Sequence, residues 1–581
     1  MRKKGKTVAG DFYSSLRTRL LFVAFLFILY GAGLTARLFF LQVVNHDVLV
    51  AQSAKQYAAT TKIFYGRGSI FDRNQNELAL NIEVESVYVT PSEIQDKKQS
   101  AKTLAAHLDL EPDKLLKKIS SQKNFVWIKR KCDLEEIREL RQLDLPGVGF
   151  ISEQKRFYPK RELAANVIGF VGMDNQGLSG VEHFHQSTLR GMTVHKVMEK
   201  DARGRYIRSI SQIGKSKTAG TDIVLTIDEV IQFTAEYHLK KQVEKYKAES
   251  GLVVVMDPFT GEIYALANVP QFNPNNYLAY PPRRWKNPAV SSSFEPGSIF
   301  KPVVASGAID AGAARPRDLF FCENGKIRIG KVNIGEASNH QFGWLSLEDI
   351  IAKSSNIGAI KIAQQLGEAN LYKYIKAFGF GGKLGVDLPG ESAGQLRSLP
   401  DWTGISLASI SFGHEIAVTP IQMVAALGAI ANGGNLIAPR ITKALIKNGK
   451  VEQAFKPEKI RRVISEKASQ QMVEVLKRTV RQGTGIPAAI PGFEAAGKTG
   501  TAQKYDTDSG TYSKTDFLSS FIGFAPADAP RLVILVMIDK PQGSYWGGEV
   551  AGPVFSEISK DVLRYLNVPS KDERVYFLNR A

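Results

Sequence analysis

Phe294-Glu295-Pro296-Gly297-Ser298-Ile299-Phe300-Lys301-Pro302 decides how this chain is read. A Pro-Gly turn delivers Ser298 to the start of an apolar helix, where residues three apart share a face, so the hydroxyl lies beside the amine of Lys301. The pair is a nucleophile next to a base. A lysine with its ordinary pKa of about 10.4 is protonated at neutral pH and accepts nothing, so the amine has to be lowered by partial burial and by a second cation. Spacing alone identifies nothing, because Ser120 to Lys123 repeats the S-x-x-K pattern in a stretch with no other catalytic signal.

Two later triplets complete the chemistry: Ser354-Ser355-Asn356 and Lys498-Thr499-Gly500. Lys498 is the candidate second cation. Ser354, at the end of the run Leu345 to Lys353, is expected to bridge the two amines and pass a proton to a leaving group. Asn356 carries an amide that both donates and accepts, which suits holding a peptide-like substrate. Small residues over Ala495–Gln503 read as a strand beside which another backbone lies, with Gly500 permitting close approach. Thr499 and Thr501 offer hydroxyls to a terminal carboxylate, and the backbone N–H groups of Ser298 and Thr501 are the expected oxyanion donors. Three such triplets in this order describe a serine acyl-transfer site.

The surroundings fit a mixed α/β domain over 250–567, with a central sheet covered by helices. Gly251–Asp257 and Glu262–Ala267 flank the turn Pro258-Phe259-Thr260-Gly261 as a hairpin. Leu532–Ile538 is unbroken apolar sequence and reads as a strand buried on both faces. Asp222–Asp228 reads as a strand leading into an amphipathic helix over Glu229–Lys247. Residues 45–220 show little clear strand periodicity and read as a scaffold or pedestal. Within it, Arg67, Asp72 and Arg73 are expected to pin a turn-rich segment through ion pairs. Glu182, His183 and His185 would put two imidazoles on one face of a strand, but no fourth ligand accompanies them, so neither a metal nor another cofactor is expected. Gly379–Gly385 lacks the Lys-Ser/Thr ending of a phosphate loop and reads as a turn.

At 581 residues, with 44% apolar and 23% charged residues, the chain is globular and longer than one typical domain. Cys132 and Cys322 are its two cysteines, too few for a disulfide scaffold. The net charge of +19 would suit nucleic acid if it were a patch, but residues 1–19 alone hold +5, with six cations against Asp11. Leu20 to Ala36 follows without a charge, and apolar character resumes past Arg37 to Leu41. That length spans a bilayer, and the flanking cations place the N-terminus in the cytoplasm. The expected order is a cytoplasmic tail over 1–19, an anchor over 20–41, the pedestal, the catalytic domain outside the membrane, and a tail over 568–581. A cleaved signal peptide ending near Gly31-Ala32-Gly33 fits less well, because the apolar run continues past that point. Outside the membrane, nucleic acid ceases to be a natural partner.

The three triplets are those of penicillin-binding proteins and class A β-lactamases, with Ser355 standing where an aspartate is usual in the second. Arg67–Asn74, Arg156-Phe157-Tyr158-Pro159, Gly177–Glu182, Met256-Asp257-Pro258, Thr260-Gly261-Glu262, Gly483-Thr484-Gly485 and Gly497–Gln503 extend the likeness. On these residues the chain resembles a class B penicillin-binding protein over nearly all its length. The resemblance implies a β-lactamase-like transpeptidase domain on an N-terminal pedestal. It implies a Ser298 acyl-enzyme formed from the D-Ala-D-Ala end of a peptidoglycan stem peptide, and acylation by β-lactams. It further implies contact with membrane lipid, a membrane glycosyltransferase and other divisome proteins.

The order of segments resembles the septal type, with elongation duty or D,D-carboxypeptidase activity as alternatives. One departure is local: Ser411–Pro420 carries His414-Glu415 where a proteobacterial septal enzyme would carry a Tyr-Gly-like pair. A β-lactamase would need a deacylating glutamate that the sequence does not single out. A β-lactam sensor would need a larger cytoplasmic part than a tail of about nineteen residues.

Overall fold

The computed structural model describes residues 8–64, 66–191, 193–200, 206–209, 219–506 and 510–571. The two ends of the chain, 1–7 of the expected cytoplasmic tail and 572–581 of the expected C-terminal tail, lie outside the described residues.

Helix α1 (Val8–Phe39) is continuous, and the stretch Leu16–Val44 has a mean hydropathy of 1.9 with none of it buried. At 1.5 Å per residue its 29 residues reach about 43 Å, enough to cross a hydrocarbon core of about 30 Å. Length and composition therefore suit a single membrane-spanning anchor.

The scaffold that follows holds more strand than its sequence suggests. After β1 (Ile70–Phe71), β2 (Glu77–Val89) runs for 13 residues. Helices α2 (Lys97–Leu108) and α3 (Pro112–Ile119), strand β3 (Val126–Lys129) and helix α4 (Leu134–Gln142) come next. Strand β4 (Val148–Phe157) pairs antiparallel with β2 from Leu80↔Phe157 to Val89↔Val148. Periodicity is hidden because β2 buries Leu78, Ala79, Val84, Val87 and Val89 while carrying Asn81, Glu83 and Glu85 between them. Glu182 and His183 sit on the short helix α5 (Gly180–Phe184) and His185 caps it, not on a strand. Among the described residues no group of three or more His, Cys, Asp or Glu is placed to hold a metal.

The expected ion pairs of the turn-rich segment are also rearranged. Arg67 bonds Glu182, Arg73 reaches Glu262 at 3.4 Å, and Asp72 accepts backbone N–H groups from Asn74, Asn76 and Glu229. Asp72 keeps local partners in Asn74 and Asn76, but its bond from Glu229 and the pair of Arg73 with Glu262 tie the segment to the catalytic region.

Strand β5 (Asp222–Leu225) makes the same tie through the backbone. It lies between β1, parallel, and β8 (Thr442–Lys447), antiparallel, in a sheet completed by β9 (Lys450–Ala454). Asp228 then caps α6 (Glu229–Lys245), its Oδ1 accepting from the N–H groups of Val230 and Ile231 at 3.0 and 3.2 Å.

The catalytic region is a five-stranded antiparallel sheet. Its strands are β6 (Ser250–Met256), β7 (Ile263–Val269), β10 (Ala496–Asp506), β11 (Thr511–Ala525) and β12 (Leu532–Asp539), in the order β7-β6-β12-β11-β10. Alternate residues serve two cores. Leu252, Val254, Met256, Val533, Leu535 and Met537 pack towards α7 (Lys301–Asp310) and α10 (Pro420–Ala431). Val253, Val255, Ile534, Val536 and Ile538 pack towards α6 and α12 (Gly552–Tyr565). Around α7 pack α8 (Leu347–Lys353), α9 (Asn356–Leu366) and α11 (Glu466–Gln482), and α11 also lies against β10. Strand β10 ends the sheet, so one side of its backbone faces outward, a template on which an extended peptide can add as a strand.

Candidate active site

Ser298 lies in the 3₁₀ turn Gly297–Phe300, which runs directly into α7. Gly297 has φ +56°, and its N–H donates to the carbonyl of Gly413 at 3.1 Å. A side chain at 413 would strike the Gly297 backbone, so this pair of glycines lets the nucleophile's loop press against 412–418. The decoy, Ser120, is an exposed residue ending α3.

Lys301 is fully buried. Its Nζ donates to Ser354 O at 2.7 Å, to Asn356 Oδ1 at 2.8 Å and to Ser354 Oγ at 3.4 Å. None of its hydrogen bonds among the described residues goes to Ser298, so the base rests against the second triplet. Ser354 explains why. It ends α8 at φ +63°, a left-handed conformation uncommon outside glycine, which turns its carbonyl towards the amine.

Lys498, on β10, is equally buried and donates to Ser354 Oγ at 2.9 Å and to Thr499 O at 3.1 Å. The Ser354 hydroxyl thus stands between two amines. Burial pulls Lys301 down to about 7, with Glu336 acting in the opposite direction. Burial, with the Lys301 charge added, holds Lys498 well below its ordinary value. The two amines share the Ser354 hydroxyl, so a charge on either disfavours a charge on the other, and Lys301 alone has a carboxylate, that of Glu336, acting against its burial.

That carboxylate belongs to Glu336, which sequence reasoning missed. It is 8% exposed, and it accepts from Ser355 Oγ at 2.5 Å and from the N–H groups of Asn356 at 2.6 Å and Ile357 at 3.3 Å. It therefore occupies the positive end of α9, and nothing in Val332–Asn339 resembles a motif. The only signal is weak: α9 opens without an acidic residue in its first turn, which leaves its positive end open to a carboxylate from elsewhere in the chain.

The hydroxyls of Thr499 and Thr501 are already in bonds. Thr499 Oγ1 is 2.6 Å from Thr484 Oγ1, and Thr501 Oγ1 accepts from the Gly547 N–H at 3.0 Å. Gly500 is also required by the packing around it. A Cβ there would collide with the Ser520 hydroxyl and crowd Ile299, so glycine serves the packing of β10 on the nucleophile's turn. Cys322 and Cys132 are buried free thiols.

Two family descriptions match the chain: penicillin binding protein transpeptidase domain over residues 251–560, and penicillin-binding protein dimerisation domain over residues 62–225. The chain belongs to the class B penicillin-binding proteins. Among relatives of this penicillin-binding protein, stage V sporulation protein D of Bacillus subtilis is 33% identical over 97% of the chain and 88% of its own length. The peptidoglycan D,D-transpeptidase FtsI of Escherichia coli is 32% identical over 92% and 90%. Penicillin binding protein 3 of Mycobacterium tuberculosis, solved with aztreonam, superposes with a TM-score of 0.68 at 30% identity, covering 88% of this chain and 98% of that one. The transpeptidase domain makes the chain an acyl-transferring enzyme, and the buried Lys-Ser-Lys cluster lies inside it.

Proposed function

We propose that the protein is a peptidoglycan D,D-transpeptidase that cross-links stem peptides through an acyl-enzyme on Ser298. One observation carries the reading: Lys301, Ser354 and Lys498 form a hydrogen-bonded chain in a water-poor site directly behind the nucleophile's turn. With burial pulling Lys301 down to about 7, the neutral amine is accessible at physiological pH and able to take the Ser298 proton. Oγ then attacks the penultimate D-Ala carbonyl, and the developing oxyanion is held by the backbone N–H groups of Ser298 and Thr501, each donor worth on the order of 3 kcal/mol. Ser354 hands the proton taken up by Lys301 to the departing D-Ala amine, with Lys498 holding the Ser354 hydroxyl in line through its hydrogen bond.

Asn356 orients both Lys301 and the donor peptide, which lies along the outer edge of β10 with its carboxylate near Thr499, Gly500 and Thr501. A β-lactam presents the same end and acylates the same atom. The catalytic domain faces the extracytoplasmic side, with the basic N-terminus inside. The septal role is supported by the FtsI relative, and a membrane glycosyltransferase and divisome proteins are the proposed partners.

Mass spectrometry after incubation with benzylpenicillin tests the mechanism, with one penicilloyl adduct on the peptide containing Ser298 expected. An adduct elsewhere, or one persisting in Ser298→Ala, sinks it. Depletion in the source organism tests the role: filaments support septal duty, and rounded cells support elongation.

A further inference from the structure

Transpeptidation has a second half, and its proton count is not met by the cluster behind Ser298. The acceptor amine arrives as an ammonium with three N–H bonds, and the amide it becomes keeps one. One of the two protons lost returns to Ser298 Oγ as the acyl C–O bond breaks and the new C–N bond forms, through the Lys301–Ser354 chain that removed it. The other proton needs a base on the open side of the site.

A candidate stands there. Ser298 and His414 each follow a member of the Gly297–Gly413 hydrogen bond, which brings the two residues to neighbouring positions. His414 Nδ1 is 3.1 Å from the Tyr512 hydroxyl, and that hydroxyl donates to Glu295 Oε2 at 2.8 Å. Glu295 Oε1 in turn accepts the N–H of Glu415 at 3.1 Å. The phenol oxygen therefore accepts from Nδ1–H, which fixes the tautomer and leaves the lone pair on Nε2, an atom with no hydrogen bond among the described residues. His414 and Glu295 are each 27% exposed at the side chain, open enough for a substrate group to reach them.

We propose that His414 is the general base for the acceptor amine, with Glu295 attracting the ammonium and, through Tyr512, holding the imidazole in its accepting tautomer. His414 is then a catalytic residue of aminolysis, and Glu295 and Tyr512 are positioning residues. The inference rests on the Ser298 acyl-enzyme reading. Nε2 takes one ammonium proton and releases it to solvent after the free amine has attacked.

The charges facing His414 are Glu295 on its own side of the nucleophile's loop, Glu415 beside it and paired with Arg397, Tyr512 from β11, and Lys301 behind. Burial leads and Lys301 assists in lowering its pKa below the ordinary 6.5, against Glu295 and Glu415, so the imidazole is neutral at pH 7. Burial and Glu295 raise Tyr512, which keeps the phenol a donor.

The test uses the full-length protein in detergent, an N-acyl-D-alanyl thioester as donor and D-alanine as acceptor, reading the ratio of amide to acid product across pH 5 to 9. His414→Gln is expected to lower that ratio at least about 10-fold. Tyr512→Phe, which disconnects the carboxylate, is expected to move the acid limb of aminolysis to lower pH. An amide-to-acid ratio unchanged in His414→Gln, or an acid limb unmoved in Tyr512→Phe, overturns the assignment. Absence of any acylation of the wild type by thioester or fluorescent penicillin overturns instead the Ser298 reading beneath it.

Discussion

Glu336 holds Ser355: its Oε1 receives the serine hydroxyl at 2.5 Å, while Oε2 receives the N–H of Asn356 at 2.6 Å. One carboxylate thus fixes the second triplet and the start of α9, and its charge reaches Lys301, where it opposes the effect of burial.

Neutralising Glu336 therefore has a directional consequence. In Glu336→Gln the amine of Lys301 loses its raising partner, its pKa falls further below about 7, and the neutral form exists at lower pH. The acid limb of the rate of acylation by benzylpenicillin should shift to lower pH, at the cost of about 1–3 kcal/mol of stability from the weakened hydrogen bonds. A shift to higher pH would show that Glu336 does not act on Lys301 through its charge.

Wild-type acylation should rise through about pH 7 as Lys301 loses its proton, and thermal stability should move with it. Lys301 has a lower pKa folded than unfolded, so the unfolded chain binds more protons between about 7 and the ordinary value of 10.5. Folding is then favoured increasingly as pH rises through that window and least favoured below it, and Lys498 acts in the same direction. Scanning calorimetry from pH 7 to 9 should show Tm rising, with a smaller rise in Lys301→Met. Equal slopes in both proteins would refute the linkage.

The catalytic sheet and the nucleophile were readable in the sequence because their signals are local. Gly251–Met256 and Leu532–Ile538 are short, unbroken apolar runs, and Ser298 has Pro-Gly before it and an apolar helix after it. What was not readable depends on pairing over long separations. Glu336 meets Ser355 across a fold with no sequence spacing to mark it, and Arg67 bypasses Asp72 for Glu182, 115 positions away. The packing demand on Gly500 was hidden for a related reason, since the obstacle to a side chain is Ser520 on the next strand.

The scaffold offers a test of that long-range pairing. Glu182 receives Arg67 on one oxygen and Arg156 Nε on the other at 2.6 Å, with all three side chains at most 3% exposed. Replacing it by alanine leaves two guanidinium groups buried without a counter-ion, which typically costs about 3–5 kcal/mol. Urea unfolding of Glu182→Ala should show a loss of that size, and a loss below about 1 kcal/mol would mean that the arginines find water or new partners.

Lys498 separates function from stability most sharply. It is fully buried, its nearest partners are uncharged, and both burial and the charge of Lys301 disfavour its protonated form, so the fold gains little from the amine. Lys498→Met fills nearly the same volume without a group to desolvate, although Ser354 Oγ loses one donor, a deficit of about 1–3 kcal/mol that works against the gain. The expected outcome is a Tm within a few degrees of wild type, with penicillin acylation slowed at least about 100-fold because the proton shuttle is cut. A Tm drop beyond about 8 °C would mean that Lys498 holds the fold together. Acylation at the wild-type rate would remove it from the shuttle and leave Ser354 served by Lys301 alone.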